Sequence, residues 1–360
     1  MEIGIIGLPQ TGKKTLFSLL TEGTLKANAP RQKGKKDPGI GISIVYDERL
    51  YRLAKIYNPQ KVIPATIKYI LLPKLSKNSE ENRVVFRSIT TADAICQVVR
   101  AFDDDRIFHI DGSIDPARDI DYVESELLLS DLIFTEARIE RIEKEVKHRN
   151  DPVMKRELEI MERILEQLNN EVPLRLVKFT DDDKKIINAY PYLTKKNMLI
   201  VLNVGEDDLN SNKLITQLEK KFSGKGMYFV QASCKIEIEL SEIEDKEEKK
   251  AFLQELGIKH SALEKVTQMS YKALGLLSFF TIGKDEVRAW TIRNNTLAPQ
   301  AGGVVHSDIE RGFIRAEHMR IEDLLEFGSE AKVKESGKLS LKGRDYIVED
   351  GDVLNFLFNV

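Results

Sequence analysis

The sequence predicts an α/β protein in which a parallel sheet with flanking helices carries an inserted helical hairpin and is followed by a small β-rich module. Three observations predict it. Residues 2–6, Glu-Ile-Gly-Ile-Ile, are an apolar run that passes through a glycine-bearing turn into a helical pattern with Leu16, Phe17, Leu19 and Leu20 as its apolar members. Ala94–Phe102, Met198–Val204 and Met227–Val230 are near-continuous apolar runs, the texture of parallel strands covered on both faces. Between the first two of these runs the apolar residues change to helical spacing.

That interruption reads as a hairpin. Leu128, Leu132, Thr135, Ile139, Ile142 and Val146 step by 4 and 3 alternately, and so do Met154, Leu158, Met161, Leu165, Leu168 and Val172. Asn150-Asp151-Pro152 lies between them as a turn, with Asp151 as N-cap and Pro152 in the first helical position. The two seams should face each other within the chain, because they are short for an independent coiled coil. Beyond about residue 275, Phe279–Thr281, Val287–Ile292, Tyr346–Val348 and Val353–Phe358 read as short strands separated by turns such as Glu349-Asp350-Gly351-Asp352.

Composition narrows the function. At roughly 100–200 residues per domain, 360 residues imply two or three domains. Hydrophobic residues at 42% and charged residues at 31% fit a soluble globular chain, and no run of about 18 apolar residues predicts a membrane span. The first residues lack a basic n-region and an apolar h-region, and two cysteines, Cys96 and Cys234, make neither a disulfide framework nor a four-ligand zinc site. Both read as buried apolar residues, and a cytoplasmic location is the expectation. His148, His260, His306 and His318 lack metal-ligand spacing. A net charge of −3 does not advertise a nucleic-acid binder, so DNA is not expected and any RNA contact must be local.

The stretch Gly7-Leu8-Pro9-Gln10-Thr11-Gly12-Lys13-Lys14-Thr15 nearly fits the phosphate-loop pattern G-x-x-x-x-G-K-[ST]. The glycines permit the sharp turn, main-chain N–H groups face phosphate oxygens, and the lysine neutralises phosphate charge. The residue after that lysine should be Ser or Thr, whose hydroxyl binds Mg²⁺. Here it is Lys14, with Thr15 next. The bland alternative is a strand–helix turn without a ligand.

At this point the chain resembles, over nearly its whole length, the YchF/Obg-like ATPase family of P-loop, TRAFAC-class GTPase-like proteins. The C-terminal runs Glu286–Ile292, Ala298–Ala301, Glu310–Ala316 and Asp345–Val353 carry the resemblance, as does Val98–Phe102 leading through Asp104-Asp105 to His109. The resemblance implies a P-loop G domain in two parts, 1–125 and 193–278, an inserted hairpin over 126–192, and a β-grasp-like TGS domain over 279–360. It implies that Asn203-Val204-Gly205-Glu206 is the family's N-x-x-E element, associated with ATP preference over GTP, and that Ser233 and Cys234 belong to the base-flanking loop. His109 resembles the family's catalytic histidine; the alternative is a loop histidine packed beside Phe108. The implied cofactor is ATP or GTP, with Mg²⁺ open, and the implied partner is the ribosome or RNA.

Departures from the family pattern cluster on one function. Lys14 replaces the metal-binding hydroxyl. The switch segment Asn28–Lys36 is basic, with Lys33 where a Thr belongs, and Lys26 adds to its charge. It reads either as a solvated loop or as a contact with phosphates of nucleotide or ribosomal RNA. The D-x-x-G expected after the strand near Ile67–Ile70 is replaced by Leu71-Leu72-Pro73-Lys74, and the following Gly-rich loop by Ser76–Asn82. Ammonium groups repel Mg²⁺ and attract phosphate, so the expectation is a divergent nucleotide-binding regulator with weak or absent Mg²⁺-dependent hydrolysis. The residues expected at nucleotide are Gly7, Pro9, Gln10, Thr11, Gly12, Lys13, Lys14, Thr15, Asn203, Glu206, Ser233 and Cys234, with His109 as catalytic candidate and no metal ligand. An active ATPase or GTPase using His109, and a ribosome-interaction protein that binds no nucleotide, are the alternatives.

Overall fold

The computed structural model describes residues 1–21, 39–148, 151–258 and 260–359. The basic switch segment and Asn150 lie outside the described residues. The strands in chain order are β1 (Glu2–Ile6), β2 (Gly39–Ile44), β3 (Lys61–Ile63), β4 (Thr66–Leu71), β5 (Ala94–Ala101), β6 (Met198–Val204), β7 (Met227–Ala232), β8 (Leu276–Ile282), β9 (Glu286–Arg293), β10 (Phe313–Arg320), β11 (Ser340–Lys342) and β12 (Asp352–Phe358).

Two compact units divide the chain: Met1–Ile42 with Lys68–Ala273, and Ser43–Ile67 with Leu274–Val360. The sequence reading kept residues 43–67 within 1–125. The structure groups them with the C-terminal segment, because β3 pairs in parallel with β9 through Lys61↔Glu286, Val62↔Val287 and Ile63↔Arg288.

The first unit holds a six-stranded sheet in the order β2-β4-β1-β5-β6-β7. β4, β1, β5, β6 and β7 run parallel. β5 and β6 are buried along almost their whole length, as strands with layers on both faces must be. Their core includes Ile6, Ile95, Val99, Ile200, Leu202, Phe86 and Phe222. β1 leads into helix α1 (Lys13–Leu20), whose Leu16, Phe17, Leu19 and Leu20 are buried.

The hairpin is formed by α2 (Pro116–His148) and α3 (Pro152–Asn169). Asp151 caps α3 by accepting from the Val153 N–H, and Pro152 opens the helix. The seams meet: Ile142, Ile160, Met161, Ile164 and Leu168 form a buried cluster with Leu174, Ile187 and Tyr192. Leu165 is only half-buried, because a straight helix of 3.6 residues per turn drifts off a strict seven-residue repeat and Ile164 takes the inner position. Val172 lies beyond the helix end. The base of the hairpin is pinned by Asp131, whose carboxylate accepts from Leu193 N at 2.9 Å, Thr194 N at 2.8 Å and Thr194 Oγ1 at 2.7 Å.

The second unit holds a six-stranded sheet in the order β11-β10-β12-β8-β9-β3. Its core centres on Phe279, Ile292, Phe313, Leu354 and Phe356. Tyr346–Val348, read as a strand from its apolar pattern, is not one. Its main chain bonds across to 296–298, with Ala298 N donating to Tyr346 O and Val348 N to Thr296 O, and Tyr346 Oη donates to Asp352 Oδ2. Among the described residues no helix is long and apolar enough to cross a membrane.

Asp131→Ala strands two buried N–H groups and a hydroxyl. It should lower the unfolding free energy by about 3 kcal/mol in urea titration, far more than a surface Asp→Ala change.

Candidate functional site

The site grows from the C-terminal ends of β1, β5, β6 and β7, the edge of a parallel sheet where ligands of α/β proteins bind. Two glycines in the loop after β1 are obligatory. A Cβ at Gly7 would lie 2.7 Å from the Val98 carbonyl oxygen. Gly12 has φ +88°, and a Cβ there would lie 2.3 Å from Asn203 Nδ2. Gln10 also adopts a left-handed φ of 60°, and Thr11 Oγ1 donates to Leu8 O at 3.2 Å. α1 has no side-chain cap, so its first-turn N–H groups keep their capacity for an anion.

Lys13 is buried, and its Nζ donates to the carbonyl of Leu72 at 2.8 Å. Burial, reinforced by the charges of Lys14 and Lys74, lowers its pKa to about 7. Leu72 belongs to the segment that stands where D-x-x-G was expected. That segment is laid along the phosphate loop by Leu72 N donating to Ile5 O and Leu75 N to Gly7 O. Lys14 is exposed on the next position of α1.

Opposite the loop, Asn203 is a brace. Its Nδ2 donates to Thr11 O at 3.0 Å, and its Oδ1 accepts from Cys234 N at 3.1 Å. Cys234 opens helix α4 (Cys234–Glu242), and burial pushes its thiol up to about 12. Ser233 Oγ is buried without a hydrogen-bond partner among the described residues. Glu206 and Lys235 are exposed and form an ion pair at 3.3 Å.

These elements enclose a cleft of about 1040 Å³. Of the residues singled out from the sequence, Gln10, Gly12, Thr15, Asn203, Glu206, Ser233 and Cys234 line it. Gly7, Pro9, Thr11, Lys13 and Lys14 do not; Thr11 and Lys13 are buried in the loop. Sequence reasoning assigned no role to Phe102, Asp103, Asp104, Arg106 and Ile107, which form another wall. Their signal was position: β5 and β6 are parallel neighbours with Ala101 opposite Val204, so the residues after each strand emerge side by side.

His109 is not among the lining residues. Its side chain is 4% exposed, and both ring nitrogens have protein partners. Nδ1 accepts from Asp111 N at 3.1 Å, which leaves the proton on Nε2, 3.0 Å from Asp119 Oδ2. Arg118 holds the other oxygen of Asp119.

Among the described residues, the positions at which the family pattern places Mg²⁺ contacts lack an oxygen ligand. Lys14 offers an ammonium where a hydroxyl would be, Leu71–Lys74 offers no side-chain oxygen, and among the described residues no group of three His, Cys, Asp or Glu side chains is placed to hold a metal. A phosphate chain fits better, because the loop supplies the N–H groups, a left-handed glycine and a lysine.

Strand, glycine loop and helix at the end of a parallel sheet define an α/β protein of the P-loop class. Comparison with known proteins narrows the class. A family model described as "YchF-GTPase_C: Protein of unknown function (DUF933)" matches residues 276–359. The chain is similar to "Ribosome-binding ATPase YchF" of Bacillus subtilis, with 41% identity over 366 residues covering 99% of both chains. It is similar to the protein of the same description from Escherichia coli O157:H7, with 38% identity over 362 residues and 99% of both. The solved structure of the Schizosaccharomyces pombe YchF GTPase superposes with a TM-score of 0.84 at 32% identity, covering 99% of this chain and 97% of that one. The chain belongs to the YchF family.

Lys13 makes stability depend on pH in a defined direction. Between about 7 and its ordinary 10.5 the unfolded chain holds a proton that the folded chain lacks, so folding is favoured as pH rises through that window and is indifferent to pH below it. Urea titrations of wild type against Lys13→Met should show wild type gaining, relative to the variant, up to about 1.4 kcal/mol per pH unit across that window.

Proposed function

We propose that the chain binds a purine nucleoside triphosphate in this cleft, ATP in preference to GTP, and acts as a ribosome- or translation-linked regulator with weak or no Mg²⁺-dependent hydrolysis. The relatives' description as ribosome-binding ATPases supports the ligand class and the partner. In this reading the first unit is the G domain with its inserted hairpin and the second carries the TGS module.

The observation that carries the proposal is the Lys13–Leu72 contact within the glycine loop that borders the cleft. The Lys13 ammonium is directed at a carbonyl, a weak substitute for phosphate, and an entering phosphate chain claims it with full charge. The N–H groups from Gln10 to Lys14 and the start of α1 hold the remaining phosphate oxygens. Lys14, exposed beside the loop, adds positive field without ligating a metal. At the other end Asn203 is occupied with bracing the two walls, so reading of the base falls to Glu206, once it exchanges Lys235 for a base amino group, and to the Ser233 hydroxyl.

Phosphoryl transfer needs an oriented water and neutralisation of charge on the transferred group. His109, the candidate for orienting water that the family resemblance names, is committed through both nitrogens to Asp111 and Asp119. Slow turnover follows.

Phosphate release from ATP under single-turnover conditions tests this. Wild type and His109→Gln should hydrolyse slowly and within about twofold of each other, and ATP should displace a bound fluorescent nucleotide at lower concentration than GTP. Brisk Mg²⁺-dependent release that His109→Gln abolishes would instead establish an ordinary ATPase.

A further inference from the structure

Arg100, near the end of β5, is buried. It makes no ion pair among the described residues. Its nitrogens go instead to main-chain carbonyls of one loop. Nε donates to Phe102 O at 3.1 Å, Nη1 to Ile107 O at 2.9 Å and Nη2 to Asp104 O at 3.3 Å. The guanidinium carbon lies 4.7 Å from the centre of the Phe102 ring.

A buried cation without a carboxylate is costly, and an apolar side chain at this point of a fully buried strand would serve stability at least as well. What an apolar residue lacks is the planar fork, which reaches three carbonyls at once and fixes their relative positions. The loop so gripped, residues 102–107, is the cleft wall formed by Phe102, Asp103, Asp104, Arg106 and Ile107. Arg100 sits opposite Asn203 in the β5–β6 register, so the wall rises beside Gly205 and Glu206. Arg100 itself does not line the cleft.

We propose that Arg100 is a positioning residue that shapes the 102–107 wall to accept the nucleoside half of the ligand, while the phosphate half depends on the loop after β1 alone. The inference rests on the nucleotide reading of the cleft. A lysine in its place keeps the charge but reaches fewer of the three carbonyls, so the wall should loosen while the phosphate loop stays intact.

The test is calorimetric titration of wild type and Arg100→Lys with ATP and with inorganic tripolyphosphate, alongside amide hydrogen exchange. Arg100→Lys should weaken ATP about tenfold and leave tripolyphosphate within about twofold, with faster exchange over 102–109 and unchanged exchange over 3–16. Equal losses for the two ligands, or no loss for ATP, would overturn the role assigned to Arg100 and leave the nucleotide reading standing. A variant that fails to fold would make Arg100 a support of the fold and overturn the role as well. A wild type that binds neither ligand would overturn the nucleotide reading and this inference with it.

Discussion

The ammonium of Lys13, buried against the carbonyl of Leu72, is the contact on which the site depends. A lysine drawn out of water must find an acceptor, and in this chain the acceptor comes from the segment that follows β4. The same segment is fastened to β1 and the phosphate loop by two main-chain hydrogen bonds. The phosphate loop is thus closed on one side by main chain and on the other by Asn203, which ties Thr11 to Cys234. The loop is preorganised by contacts that neither a metal nor a nucleotide has to supply.

That closure holds the cleft in shape with Lys14 and Leu71–Lys74 beside the phosphate loop. The charge that Mg²⁺ would contribute can come from lysines, but lysines do not orient a water or bridge two phosphoryl oxygens. In the proposed function, binding and hydrolysis therefore draw on different residues. In that reading the glycines, Lys13 and the brace serve binding, whereas His109 is held by Asp111 and Asp119 and does not line the cleft.

Much of this was legible in the sequence where burial is two-sided or chemistry is local. β6 is the run Met198–Val204 as read, because a strand covered on both faces is apolar without interruption. The hairpin turn was legible from Asp151-Pro152, a local capping signal, while the buried seam slipped from Leu165 to Ile164 because helical pitch and heptad spacing differ. β10 was missed as a strand because Phe-Ile-Arg-Ala-Glu-His-Met-Arg mixes charge into both faces, and β3 because three residues carry no pattern of their own. Of the cleft residues, Gln10, Gly12 and Thr15 came from the loop motif, and Asn203, Glu206, Ser233 and Cys234 from the family resemblance. The partner of Lys13, the bracing use of Asn203 and the grip of Arg100 on 102–107 are contacts across the fold that no local pattern encodes.

The most direct test of the account is calorimetric titration of the protein with ATP in excess EDTA at pH 8, repeated in two buffers of different ionisation heat. With Lys13 at about 7 in the free protein and restored to its ordinary range by phosphate, binding should survive the loss of metal and take up about 0.9 proton. Binding that vanishes without Mg²⁺, or that proceeds with no proton uptake, would contradict the claim that a buried lysine stands in for the metal.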